Sequence, residues 1–223
     1  MVALRRPHAL LFDLDGTLVD SRGDIAAACN HALACAGRAP LGLEVVTKMV
    51  GDGSRTLLAR AFDVPKDSPL LETAMADFLA YYIQNPAEFS TFLPGAEACL
   101  RGFEGARIAL VTNKPRAATM AVLDVMGIAK YFSAVTAGGD GALKPAADPI
   151  LRVANELAVG PADTWMIGDG PQDIGAAHAA GAGAIAVRGG FLPALRVEAE
   201  KPDAWIDSLL DLPALIERAS AQT

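Results

Sequence analysis

The chain has 223 residues, enough for one large domain or two small ones. It is 52% hydrophobic and 20% charged, so it can bury a sizeable core, and its formal net charge of −7 argues against nucleic acid or an anionic membrane as partner. No apolar stretch approaches the roughly 20 residues of a membrane span, and Arg5-Arg6 precedes too few apolar residues for a signal peptide. A soluble, cytoplasmic protein is expected, with no membrane partner. The three cysteines, Cys29, Cys35 and Cys99, are odd in number and include no Cys-x-x-Cys. They indicate neither a disulfide framework nor zinc, and among alanines and leucines they read as small buried thiols.

The first element is the apolar run Ala9 to Phe12, which reads as a strand buried on both faces. It stops at Asp13-Leu14-Asp15-Gly16-Thr17. In an extended chain Asp13 and Asp15 project to one side, where two carboxylates repel unless a cation or a shared proton intervenes. Gly16 allows a sharp turn, and Thr17 offers a hydroxyl and an N–H beside the acids. Asp-Gly is also a common turn signal, so a capped strand end is an equal reading of this stretch alone.

Helical spacing begins after Ser21, with Ile25, Ala28, Cys29, Ala32, Leu33 and Ala36, and Gly37 with Pro40 ends it. A second helix starts near Glu44, breaks at Gly51-Asp52-Gly53, and resumes through Leu57, Leu58, Ala61 and Phe62. A third spans about 68 to 83. No strand-like run occurs between Leu18 and Gln84, so this block reads as all helical, and 85 to 94 reads as a loop.

Alternation of strands and helices follows. Strands are expected at 107–112, 133–136, 164–167, 184–187 and 204–206, and helices at 95–103, 115–126, 149–158, 171–180 and 212–219. Repeated βα units imply α/β architecture: a Rossmann-like parallel sheet with helices on both faces. The predicted division is a core of residues 1–17 and 90–223, with a small helical cap, 18–89, inserted after the first strand.

Ligands of such sheets bind at the carboxyl ends of the strands. Thr112-Asn113-Lys114-Pro115 ends the second strand, and Pro115 suits a first helical position, which would make an anion site of the helix start. Lys144-Pro145 follows a glycine-rich turn, Gly138-Gly139-Asp140-Gly141. The strand at 164–167 ends in Gly168-Asp169-Gly170-Pro171-Gln172-Asp173, bringing two more acids to the same edge. Singly these signals are weak. Together, in order along the chain, they point to chemistry.

This order of motifs resembles the haloacid dehalogenase superfamily, over nearly the whole chain. The pieces are Asp13-Leu14-Asp15-Gly16-Thr17, Thr112-Asn113, Lys144-Pro145 and Gly168-Asp169-x3-Asp173, and the helical insert is similar to the superfamily's first cap class. Asp20-Ser21, Val50-Gly51-Asp52-Gly53, Pro94-Gly95 and Gly138-Gly139-Asp140 look like phosphoglycolate phosphatases among its members. Two departures stand out: glycine at 170, where relatives often carry a hydroxyl, and Ala146-Ala147-Asp148-Pro149 after Lys144-Pro145.

The resemblance implies hydrolysis of a small phosphorylated metabolite, with 2-phosphoglycolate first, through an aspartyl-phosphate. Asp13 would be the nucleophile and Asp15 the acid and base. Mg²⁺ would be held by Asp13, the Asp15 backbone carbonyl and Asp169, with Asp173 beside the metal or on Lys144. Thr112, Asn113 and Lys144 would hold the phosphoryl oxygens, and Thr17 would be a further substrate-binding residue. In the cap, Gly53 and Arg55 belong to the expected substrate-reading loop, Arg55 pairing with a carboxylate. Monomer and homodimer both remain open. A sugar phosphomutase shares the scaffold, but His31 lacks the matching cap lysine. A dehalogenase would not need Asp15, and a phospho-acceptor signalling domain would be about half as long and capless. His31, His178, Trp165 and Trp205 read as packing or surface residues.

Overall fold

A computed structural model describes residues 4–221. Its centre is a six-stranded parallel sheet built from β1 (Ala9–Phe12), β4 (Ile108–Pro115), β5 (Ala134–Gly138), β6 (Thr164–Gly168), β7 (Gly183–Val187) and β8 (Ala204–Ile206), in the order β5-β4-β1-β6-β7-β8. β1 lies in the middle, with Leu11 opposite Ala109 of β4 and Met166 of β6. Its apolar run is continuous because both faces are covered. Alternate side chains serve opposite layers. Leu10, Phe12, Leu110 and Ile167 join the larger core, whereas Leu11, Ala109, Val111 and Met166 join the smaller one.

The larger layer is closed by α5 (Ala96–Gly102), α6 (Arg116–Val125) and α10 (Leu212–Ser220), which contribute Leu100, Val122 and Leu215. The smaller layer is closed by α7 (Asp148–Glu156), α8 (Pro171–Ala180) and α9 (Ala194–Glu198), through Ile150, Ile174 and Val197. No helix among the described residues is long and apolar enough to cross a membrane.

Between β1 and α5 stand α1 (Arg22–Cys35), α2 (Leu43–Thr47), α3 (Ser54–Ala61) and α4 (Leu70–Gln84). Their buried residues, including Ile25, Leu33, Leu58, Phe78 and Tyr82, are continuous with the larger core. The expected core range runs past the described residues at 1–3 and 222–223.

The sequence reading needs four corrections here. First, β2 (Val19–Asp20) pairs antiparallel with β3 (Thr91–Phe92), where no strand was expected. This ribbon joins the two passages of chain between the sheet and the four helices. Asp24 pins the second passage by accepting from the Phe89 N–H at 3.0 Å and from Ser90. Second, β4 runs on to Pro115 and α6 begins at Arg116. Pro115 has extended backbone (ψ 137°) and pairs with Gly138 after a register shift. Residues before a proline avoid helical backbone, so Thr112 and Asn113 sit on an irregular strand end rather than at a helix start. Third, Cys35 is exposed, on the outer side of α1 beside His31, while Cys29 and Cys99 are buried. Fourth, Ala36, read as part of the apolar face of α1, is exposed.

Candidate active site

β1 delivers Asp13 to the carboxyl edge of the sheet, where its N–H still donates to Ile167 O at 3.0 Å. The chain then folds tightly: Leu14 O accepts from Leu18 and Val19 N–H at 3.0 Å each, and Gly16 adopts φ 91°. β6 delivers Asp169, and the first turn of α8 delivers Asp173, whose carboxylate accepts from the Gly170 N–H at 3.0 Å. The three carboxylates of Asp13, Asp169 and Asp173 offer oxygens that all lie within 4.8 Å of one another.

Among the described residues one buried cation serves this cluster. Lys144 Nζ lies 2.8 Å from Asp13 and 2.6 Å from Asp173, and donates to Val111 O at 2.6 Å. Burial works against its charge, but Asp13 and Asp173 outweigh burial and hold its pKa above the ordinary lysine range. Asp13 is pushed up to about 7, chiefly by burial, with Lys144 opposing and the charge of Asp173 adding to the rise. Asp169 rises to about 8, by burial first and then by the charges of Asp173 and Asp13. Three acids against one ammonium leave an excess of negative charge in a dry site. A set of carboxylate oxygens with that excess suits a hard divalent cation.

Glycines make room for the cluster. A Cβ at Gly16 would lie 2.3 Å from Asp169 Oδ2, and one at Gly190 would lie 2.2 Å from Asp169 Cβ. Asp169 is thus gripped between two backbones, and it accepts from the Phe191 N–H at 2.8 Å and Thr17 Oγ1 at 3.1 Å. The Thr17 hydroxyl, expected to face substrate, is spent on Asp169. Gly170 leaves space for Gln172, whose Oε1 would lie 2.6 Å from a Cβ there. Gln172 in turn donates to Asp52 at 2.7 Å, linking α8 to the loop before α3.

Asp13 and Asp15 do line one cavity, as their spacing suggests, but each has its own lysine. Asp15 is bonded to Lys114 Nζ (3.0 and 3.3 Å) and to Ser21 Oγ, and its carboxylate stands outside the three-acid cluster. Lys114 also donates to Tyr82 OH at 2.7 Å. Sequence reasoning gave Lys114 no role. The available signal was a lysine continuing a buried strand, which demands an anionic partner.

Asn113 fastens three segments. Its Oδ1 accepts from Lys144 N–H at 2.8 Å, and its Nδ2 donates to Lys144 O and to Gly51 O, both at 2.9 Å. Thr112 lines the cavity and its Oγ1 accepts from Lys114 N–H at 3.1 Å. The cavity encloses ≈ 50 Å³, roofed by Ile25, Val50, Gly53, Leu57, Phe78 and Tyr82. Gly53 is therefore where the sequence reading expected it. Arg55 is not: its guanidinium bonds Glu72 at 2.8 Å and Lys66 O at 2.8 Å, and it is absent from the cavity wall. The cause is local, because Glu72 of α4 presents an acid on the outer surface.

Residues 10–187 match the family model described as haloacid dehalogenase-like hydrolase. The chain is 36% identical over 216 residues to a plasmid-encoded phosphoglycolate phosphatase of Cupriavidus necator, covering 95% of this chain and 94% of the relative. It is 35% identical over 217 residues to the phosphoglycolate phosphatase of Chromobacterium violaceum, covering 94% and 97%. The crystal structure of a predicted phosphoglycolate phosphatase from Haemophilus somnus superposes with a TM-score of 0.84 at 26% identity, covering 95% of this chain and 99% of that one. The chain belongs to the haloacid dehalogenase-like hydrolase family, and it is one of that family's phosphatases.

Proposed function

We propose that this phosphatase hydrolyses a small phosphomonoester, with 2-phosphoglycolate as first substrate, through an aspartyl-phosphate on Asp13. The observation that carries the reading is the convergence of Asp13, Asp169 and Asp173 at the edge of a cavity, with Lys144 paired to Asp13 and Asp173. The names of the similar proteins support the choice of ester.

Mg²⁺ is the proposed cofactor, held by the carboxylates of Asp13 and Asp169 and the backbone carbonyl of Asp15, with Asp173 adjoining. When bound it supplies charge neutralisation for the phosphoryl oxygens. The chain's own groups do the rest. An Asp13 carboxylate oxygen attacks phosphorus, the bond to the leaving oxygen breaks, and Asp15 delivers a proton to that oxygen. Asp15 then takes a proton from the water that cleaves the acyl-phosphate, releasing phosphate and restoring Asp13. Thr112, the Asn113 N–H and Lys144 hold phosphoryl oxygens as charge redistributes. We assign residues 18–89 as a cap whose closure excludes water, with the Asp52–Gln172 and Gly51–Asn113 bonds as its contacts in the closed state.

The reading is tested by a phosphoester panel assayed with Mg²⁺ and with EDTA. Turnover of 2-phosphoglycolate is expected with Mg²⁺ and not with EDTA. Release of phosphate from none of the small esters would refute it.

Stability should report the same site. In EDTA, Asp13 and Asp169 hold protons in the folded protein that the unfolded chain has lost, so the folded state binds more protons between about pH 4 and 8. Stability of the metal-free protein therefore falls as pH rises through that window, each group adding at most about 1.4 kcal/mol per pH unit. Thermal melts in EDTA should show this slope, and Mg²⁺ should flatten it. A slope unaffected by Mg²⁺ would mean the cluster binds no cation.

A further inference from the structure

The cavity wall carries two buried ammonium groups, and only Lys144 belongs to the three-acid cluster. The other, Lys114, stands between Asp15 and the face of Tyr82, its Nζ 4.1 Å from the ring centroid. It is 6% exposed. The neighbouring wall is apolar, formed by Ile25, Leu57, Phe78 and Ala118. Burying an ammonium there is costly, and a single carboxylate partner offsets that cost poorly. Tyr82 adds a second feature. Its oxygen accepts from Lys114, so its own proton remains to be given, and no acceptor for it occurs among the described residues. Burial raises the Tyr82 pKa to about 12, which keeps the phenol a donor. An ammonium and a phenolic O–H thus meet at one point of the cavity, and both are suited to an anion.

We propose that Lys114 and Tyr82 form the receptor for a second anionic group of the substrate, a carboxylate, and make the enzyme selective for short phosphorylated carboxylic acids. The inference rests on the proposed function above, in which Asp15 meets the leaving oxygen. Lys114 is bonded to Asp15, so the group it reads lies just beyond that oxygen. In 2-phosphoglycolate the carboxyl carbon is two bonds from the leaving oxygen, which places the carboxylate beside Lys114. A longer acid carries its carboxylate past this point. Arg55, the cation expected from sequence to take this role, is held by Glu72 outside the cavity.

The test compares kcat and KM of the Mg²⁺-loaded enzyme for 2-phosphoglycolate and for ethyl phosphate, which replaces the carboxylate by a methyl group. Wild type should favour the acid by roughly 100-fold or more in kcat/KM, as expected for charge-assisted bonds in a dry site. Lys114→Met should lower kcat for both esters, because Asp15 loses a partner, and should also erase most of the preference through KM for the acid alone. Tyr82→Phe, which keeps the ring, should reduce the preference by roughly 3- to 10-fold and keeps the proposal testable if Lys114→Met folds poorly. Two results would overturn it: a wild type that turns over both esters equally, or variants that slow both by the same factor. The latter would leave Lys114 as a partner of Asp15 alone. A wild type inactive on both esters, and on the rest of the panel, would instead bring down the proposed function and this inference with it.

Discussion

Asp13→Asn is expected to lower turnover by roughly 10⁴-fold or more, the loss that follows when an attacking group is removed. The substitution keeps the shape of the side chain and takes away the proposed nucleophilic oxygen. It does not cost the fold. Asp13 is half-buried, crowded by Asp173 and pushed up to about 7, so its charge is a burden on the metal-free protein. Lys144 keeps Asp173 as partner when Asp13 is neutral. The variant should therefore melt at or above the wild-type temperature in EDTA at pH 8 while losing phosphate release. Near-normal activity in Asp13→Asn would refute the nucleophile assignment. Lost activity accompanied by unfolding would show that Asp13 is held for structure.

Lys144→Met should be the most damaging single change to stability. Among the described residues Lys144 is the one cation bonded to both Asp13 and Asp173, and its departure leaves two carboxylates facing each other in a largely buried site. Breaking a buried pair by removing one partner costs about 3–5 kcal/mol. Urea denaturation of the metal-free variant should show a loss of that size at pH 8, and a smaller loss at pH 5, below the raised pKa of about 7 at Asp13, where that acid takes up a proton. Mg²⁺ should restore part of the stability without restoring turnover, since Lys144 is also assigned to the phosphoryl oxygens. A change under about 1 kcal/mol at pH 8 would mean that water already reaches the acids.

The parallel sheet was legible because its strands are buried on both faces. Such strands are bare apolar runs, and in the sequence each run is broken where polar residues appear at the sheet's carboxyl edge, although β4 continues past that point to Pro115. That is why Asp13, Thr112 and Asp169 stand out as strand-end residues, and why the structure finds them at one edge. Helix α8 was legible to the residue, with Pro171 opening it and Gly181 closing it in the left-handed region at φ 74°. The β2–β3 ribbon was not, because two-residue strands carry no periodicity. The continuation of β4 was hidden by Pro115, which reads equally as a helix start.

Charge partners were the other blind spot. Nothing local to Lys114 shows that Asp15 and Tyr82 will surround it, nor does Arg55 reveal that Glu72 will claim it. Those choices are made by the packing of α3 and α4 against one another and against the sheet. Thr17 and Gln172 illustrate the same point: both donate to acids brought in from distant parts of the chain, Asp169 and Asp52.

In the proposed site Asp13 and Asp169 hold one divalent cation at the edge of the sheet, with Asp173 adjoining. Calorimetric titration of the EDTA-stripped protein with MgCl₂ tests it most directly, with Asp169→Asn alongside. One Mg²⁺ per chain should bind wild type, and binding should weaken at least roughly 100-fold in the variant, which loses a charged ligand gripped between two glycine backbones. Equal binding isotherms for the two proteins would contradict the account.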